Sequence, residues 1–136
     1  MIVALDAEAV NALAGPNTPA YRRVRETLEG AERTRSDVLV PTLVLAELYR
    51  GRARSQAVDA LLARHEDSIA TRDTDRALAR FVGAALHAAG LGSEHIVDAH
   101  VVATVAEGGG GAAVTGDLDD LTKLAAPYRS VVVEPV

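Results

Sequence analysis

The run Ile96-Val-Asp-Ala-His-Val-Val-Ala-Thr-Val-Ala-Glu107, followed by Gly108–Gly111, Ala112-Ala-Val-Thr115, Gly116 and Asp117, decides the fold. Its first part is apolar almost all round, which predicts a buried helix over Glu94–Glu107 with Ser93 as its cap. The short apolar run Ala112–Thr115 predicts a strand buried on both faces. Four glycines join the two. A phosphate-cradling glycine loop follows a strand and opens a helix. Here the order is reversed, so the glycines read as a flexible connector. Helix, connector, buried strand and terminal acid together form the repeating half of a parallel α/β sheet.

The same pattern continues outward. Ile2–Leu5 reads as a strand ending at Asp6, and Ala7–Ala14 as a short helix stopped by Gly15-Pro16. Thr18-Pro19 opens a second helix to about Gly30. Val38–Val40 is a second strand, and Pro41 breaks it. Thr42 is placed to cap a helix over Leu43–Arg50. Ser55–Arg64 reads as a helix and Ser68–Thr71 as a weak strand. Asp73 or Thr74 caps a helix running to Ala89, which Gly90 closes. Leu118–Ala125 is a last helix and Val131–Val133 a last strand. Strands alternate with helices, so the expectation is an α/β layer fold with a mostly parallel sheet. No internal repeat or linker interrupts the chain, and residues 1–136 read as a single domain.

Half the chain, 49%, is apolar, which fits a packed core rather than a disordered chain. With one Phe, three Tyr and no Trp, that core must be built from Ala, Val, Leu and Ile. The absence of Cys excludes disulfides, thiolate metal sites and cysteine nucleophiles. No run is long and apolar enough to span a bilayer, and the start lacks the basic segment of a secretion signal. The expectation is a cytoplasmic protein with no membrane partner. A net charge of −5 argues against general polyanion binding. Yet every basic residue except Lys123 is Arg, and most lie between Arg22 and Arg72. Any anion would therefore be held locally, and Arg50, Arg52 and Arg54 form one candidate group.

Four acids stand beside apolar segments. Asp6 and Asp117 follow strands, where ligands of parallel α/β sheets bind. Each also fits as the cap of the helix after it. Glu47 lies in Leu43-Val-Leu-Ala-Glu-Leu-Tyr49, within reach of Arg50. Asp98 shares a helical stripe with Val101, Val102 and Val105, and an unpaired carboxylate there is costly. Without Cys or a zinc-like His spacing, the economical partner is a hard ion, Mg²⁺ or Mn²⁺. Such an ion can activate a water beside a phosphodiester. His65, His87, His95 and His100 are scattered and read as surface or helix-face residues.

These residues together resemble the PIN-domain family, specifically the VapC-type toxins of bacterial toxin–antitoxin pairs. The resemblance runs through Asp6, then Pro41-Thr-Leu-Val-Leu-Ala-Glu47-Leu-Tyr-Arg-Gly51. It continues in Ile96-Val-Asp98-Ala99 and in Val114-Thr-Gly-Asp117-Leu-Asp-Asp120-Leu121. It implies a PIN-like, Rossmann-like three-layer α/β/α fold with a five-stranded sheet. It implies a Mg²⁺- or Mn²⁺-dependent endoribonuclease, a small VapB-type antitoxin partner and a homodimer. Carried over, Asp6, Glu47, Asp98 and Asp117 match the family's catalytic and metal-binding acids. Asp120 matches a further acid, and Thr115 a supporting hydroxyl near the substrate. Where the family usually has Ser or Thr two residues after the first aspartate, Glu8 stands. It either joins the acidic cluster or points to solvent. In such a pair the antitoxin would lay a helix beside Leu43, Leu48 and Tyr49 and insert an Arg among the acids.

Two other readings use the same residues. Asp6-Ala-Glu8 echoes the nucleophile motif of haloacid-dehalogenase-type phosphatases, but the second acid is Glu and the only Lys follows the late acidic motif. A non-catalytic Rossmann-like binding module would use the acids as helix caps and salt-bridge partners.

Overall fold

A computed structural model describes all residues from Met1 to Val136. In chain order the elements are β1 (Ile2–Leu5), α1 (Ala7–Ala14), α2 (Pro19–Thr34), β2 (Asp37–Pro41), α3 (Thr42–Leu48) and α4 (Arg52–Arg64). There follow β3 (Ile69–Arg72), α5 (Arg76–Ala89), a single 3₁₀ turn (Ser93–His95) and α6 (Ile96–Glu107). The chain ends with β4 (Gly111–Thr115), α7 (Leu118–Ala125) and β5 (Val131–Pro135).

The five strands form one sheet in the order β3-β2-β1-β4-β5, and every pairing is parallel. The α/β expectation holds, and the sheet is wholly parallel. Helices α1, α2 and α4 pack together on one face; α6 and α7 cover the other, with α5 against them. The result is three layers. The core comprises 30 buried residues, all Ala, Val, Leu or Ile, so small aliphatic side chains do carry the packing. No helix is long and apolar enough to cross a membrane.

The boundaries differ from the sequence reading where capping chemistry decides. Helix α2 runs past Gly30 to Thr34, because Arg35 takes the left-handed conformation (φ 54°) and its N–H closes the helix on Ala31 and Glu32. Thr42 is the first residue of α3 and not its cap; Pro41 precedes the helix without a side-chain bond. Helix α3 stops at Leu48, two residues short of Arg50. Asp75, rather than Asp73 or Thr74, caps α5 by accepting from Leu78 N at 2.8 Å. Gly90 closes that helix as expected.

The glycine connector is the largest revision. Gly111 already belongs to β4, pairs with Ile2 and has φ 142°. A Cβ there would enter the backbone of Ile2. Here glycine lets two central strands approach; the segment is a packed corner and not a flexible tether.

Candidate active site

The strand order reverses between β1 and β4, and parallel sheets of this kind open a ligand crevice at such a switch point, beyond the strands' carboxyl ends. Asp6 ends β1 and Asp117 lies two residues past β4, so chain topology brings both to the crevice.

Asp6 is 6% exposed. Its Oδ1 accepts from Ala9 N at 2.9 Å and its Oδ2 from Gly116 N at 3.0 Å. It therefore caps α1 and ties that helix to the turn after β4. Capping and site placement are the same arrangement, because a carboxylate bonded by two backbone amides is held in one orientation. A Cβ at Gly116 would meet the Glu8 carboxyl, the far end of a flexible exposed side chain. Of the two placements open to Glu8, the structure gives the edge of the acidic crevice, with the side chain exposed and leaning over Gly116.

Asp117 is exposed and caps α7, its Oδ1 accepting from Asp120 N at 3.3 Å. Thr115 is fully buried and its Oγ1 accepts from Asp117 N at 2.8 Å. The hydroxyl expected near the substrate thus braces Asp117 from behind and has no exposed surface. Glu47 is exposed on α3.

Asp98 lies in the first turn of α6, partly buried, above Val101, Val102 and Val105, which are wholly buried. Burial pushes its pKa up to about 6, and the negative charges of Asp117, Asp120, Asp6 and Glu47 add to the rise. The five acids therefore act on one another through a shared field. They are not all equally close. One group of three brings its ligand atoms within 4.8 Å of one another, and it is His95, Asp98 and Asp120.

His95 is not a candidate in the sequence, where it reads as a helix-face residue. Its Nδ1 lies 3.5 Å from Asp120 Oδ2. The available signal is its spacing: three residues before Asp98 puts both on one side of a helical turn. His100 is buried rather than on the surface, with Nδ1 2.8 Å from Ile96 O and Nε2 2.9 Å from Thr74 Oγ1. Both its ring nitrogens are thus engaged by groups other than the acids.

Arg50, Arg52 and Arg54 are exposed and make no ion pair or side-chain hydrogen bond. They do not continue the Glu47 helix. They flank a turn at Gly51 (φ 84°), which Tyr49 Oη spans by donating to Asp59 Oδ1 at 2.6 Å. Tyr49 is exposed, Leu43 partly so, and Leu48 is wholly buried in the core. Leu48 is therefore unavailable to a docking partner. A cleft of about 570 Å³ lies elsewhere, between α2 and the amino ends of β2 and β3. Its His65 is lowered in pKa by burial and by Arg25 and Arg64.

Fold and crevice together define a small doubly wound α/β protein with carboxylates gathered at its switch point. The family model of the PIN domain matches residues 3–127, and the chain belongs to that family. Among solved structures it is similar to VapBC2 from Rickettsia felis, crystallised bound to a DNA fragment from their promoter. The TM-score is 0.64 over 100% of this chain and 99% of that chain, at 16% identity, a likeness of fold. No curated protein matches.

Proposed function

We propose that this chain is a divalent-metal-dependent endoribonuclease and the toxin of a VapBC-type toxin–antitoxin pair. The observation that carries the reading is Asp98, desolvated and facing four further carboxylates in the switch-point crevice. Such a cluster is destabilised by its own charge and calls for a cation. The donors are carboxylate oxygens with one imidazole, a set that suits Mg²⁺ or Mn²⁺ and not a thiolate-type zinc site. Asp6, Glu47, Asp98, Asp117 and Asp120 would hold the ion. Bound there, it supplies Lewis-acid charge and an activated water for phosphodiester hydrolysis.

The chain's own residues do the rest. Asp6 is fixed by Ala9 N and Gly116 N, so its free lone pairs face the crevice in one orientation. Thr115 and Asp120 N set Asp117 in the same way. Arg50, Arg52 and Arg54, unpaired on an exposed turn, are the residues for gripping the RNA backbone. A small cytoplasmic antitoxin of VapB type would silence the enzyme, placing a helix near Leu43 and Tyr49 and an Arg guanidinium among the acids. A homodimer completes this reading.

The test is cleavage of RNA by the purified chain with Mg²⁺, Mn²⁺ or EDTA. Cleavage is expected only with a divalent ion. Asp98→Asn should fold and lose roughly a hundredfold or more in rate. Near-normal cleavage by that variant would remove Asp98 from the site.

A further inference from the structure

We propose that His95 is a ligand to the ion held by Asp98 and Asp120, and that its nitrogen makes this site prefer Mn²⁺ to Mg²⁺. The inference rests on the metal-dependent reading above and adds a donor of different chemistry to it. Three observations carry it.

The first is proximity. His95, Asp98 and Asp120 are the one trio whose ligand atoms come within 4.8 Å of each other, all three residues being partly buried. The second is the ring's freedom. The His95 ring takes part in no hydrogen bond, and its polar contacts are ion-pair distances only, 3.5 Å from Nδ1 to Asp120 and 3.8 Å from Nε2 to Glu94. Its side chain is nonetheless only 22% exposed. The third is the order of groups across the ring. Nδ1 lies toward Asp120, at 3.5 Å, and Nε2 toward the carboxylate of Glu94, at 3.8 Å. A metal-binding histidine commonly donates its other N–H to a carboxylate, which fixes the tautomer and strengthens the ligand. The His95 ring has the same order of groups, a site acid on its Nδ1 side and the Glu94 carboxylate on its Nε2 side.

The selectivity follows from ligand type. Mg²⁺ favours oxygen donors and keeps its waters, whereas Mn²⁺ accepts imidazole. The histidine closes the 3₁₀ turn that leads into α6, so its ring and Asp98 are held by one short rigid segment. The other histidines cannot replace it. His100 is engaged by Ile96 and Thr74, and His65 lies at the cleft between α2 and the amino ends of β2 and β3.

The experiment titrates the full chain with Mn²⁺ alone and with Mg²⁺ alone in a buffer without nitrogen ligands. Affinities are read by calorimetry, and the nitrogen coupling to bound Mn²⁺ by pulsed electron paramagnetic resonance. The wild type is expected to bind Mn²⁺ at least about tenfold tighter than Mg²⁺ and to show imidazole coupling. His95→Gln should lose that coupling and about tenfold in Mn²⁺ affinity, with Mg²⁺ affinity changed less than about twofold. The melting temperature without metal checks that the variant folds, and Glu94→Gln, which leaves the ring in place, should retain the coupling with weaker Mn²⁺ binding. Equal losses for both ions, or no nitrogen coupling in the wild type, would overturn the role of His95 and leave the metal reading standing. No binding of either ion to the wild type would instead overturn the metal reading itself.

Discussion

Ionising Asp98 works against the fold. Its carboxyl rises from an ordinary 3.8 to about 6 because it is desolvated and faces other acids. Below about pH 4 the folded and unfolded chains both hold the proton, and there is no penalty. Between about pH 4 and 6 the unfolded chain releases it while the native carboxyl retains it, so stability falls as pH rises. Above pH 6 the penalty is complete, about 1 kcal/mol once discounted for the carboxyl's partial exposure to solvent. Asp98→Asn is therefore expected to be about 1 kcal/mol more stable than wild type near pH 7.5 in chelator, and no more stable at pH 4. Denaturant midpoints at the two pH values measure this; a variant less stable at pH 7.5 would contradict the assigned field. At this scale the sequence is readable where a charge sits among apolar neighbours, as Asp98 does among three valines. For His95 the three-residue spacing from Asp98 is the whole of the signal, because Asp120, its nearer acid, stands on a different helix and meets it only on folding. Thr115 is legible as a neighbour of the site, but its burial depends on sheet packing that no local motif records.

Elements are legible wherever the period of apolar residues changes abruptly, as at Leu5–Asp6 and Gly90. They blur where two weak signals compete. Leu43–Arg50 looks like one helix because Leu, Ala, Glu and Arg all favour helix; the run ends instead at Leu48, where Tyr49 leaves helical geometry (φ −74°, ψ 74°). The glycine run shows the opposite error, since composition speaks of freedom while register demands closeness. Gly111→Ala must place a methyl in the Ile2 backbone at a φ that L-residues avoid, so a loss of about 3 kcal/mol or more is expected by chemical denaturation. Gly109→Ala meets nothing within 4 Å and should lose only the left-handed strain, about 1 kcal/mol. Similar losses for both would remove the close β1–β4 approach as the cause. On the Gly51 turn, Arg52→Ala with Arg54→Ala should weaken RNA binding and reduce the slope of log affinity against log salt by about 1 for each phosphate no longer neutralised. An unchanged slope would return those arginines to the solvated surface.

At the scale of the molecule, the metal reading of the acidic crevice ties stability to the ion. Excess Mn²⁺ should raise the unfolding free energy by about 2.7 kcal/mol at roughly a hundredfold over its dissociation constant, and EDTA should reverse the gain. Thermal scans across a Mn²⁺ series check it; a flat response would place no ion among these acids. The layer architecture is legible because strand and helix alternate throughout, but the reversal of strand order is not, since nothing local says that β4 lies beside β1. That reversal has a consequence for how the protein is made. Asp6 leaves the ribosome early, yet its partner Gly116 lies 110 positions later, and β1 cannot take its central place until β4 has emerged. Translation at about 5–20 residues per second separates the two by several seconds or more. Throughout that interval the nascent chain carries Asp6, then Glu47 and at last Asp98, but no gathered crevice, so the site can assemble only once β4 and Asp117 have been made.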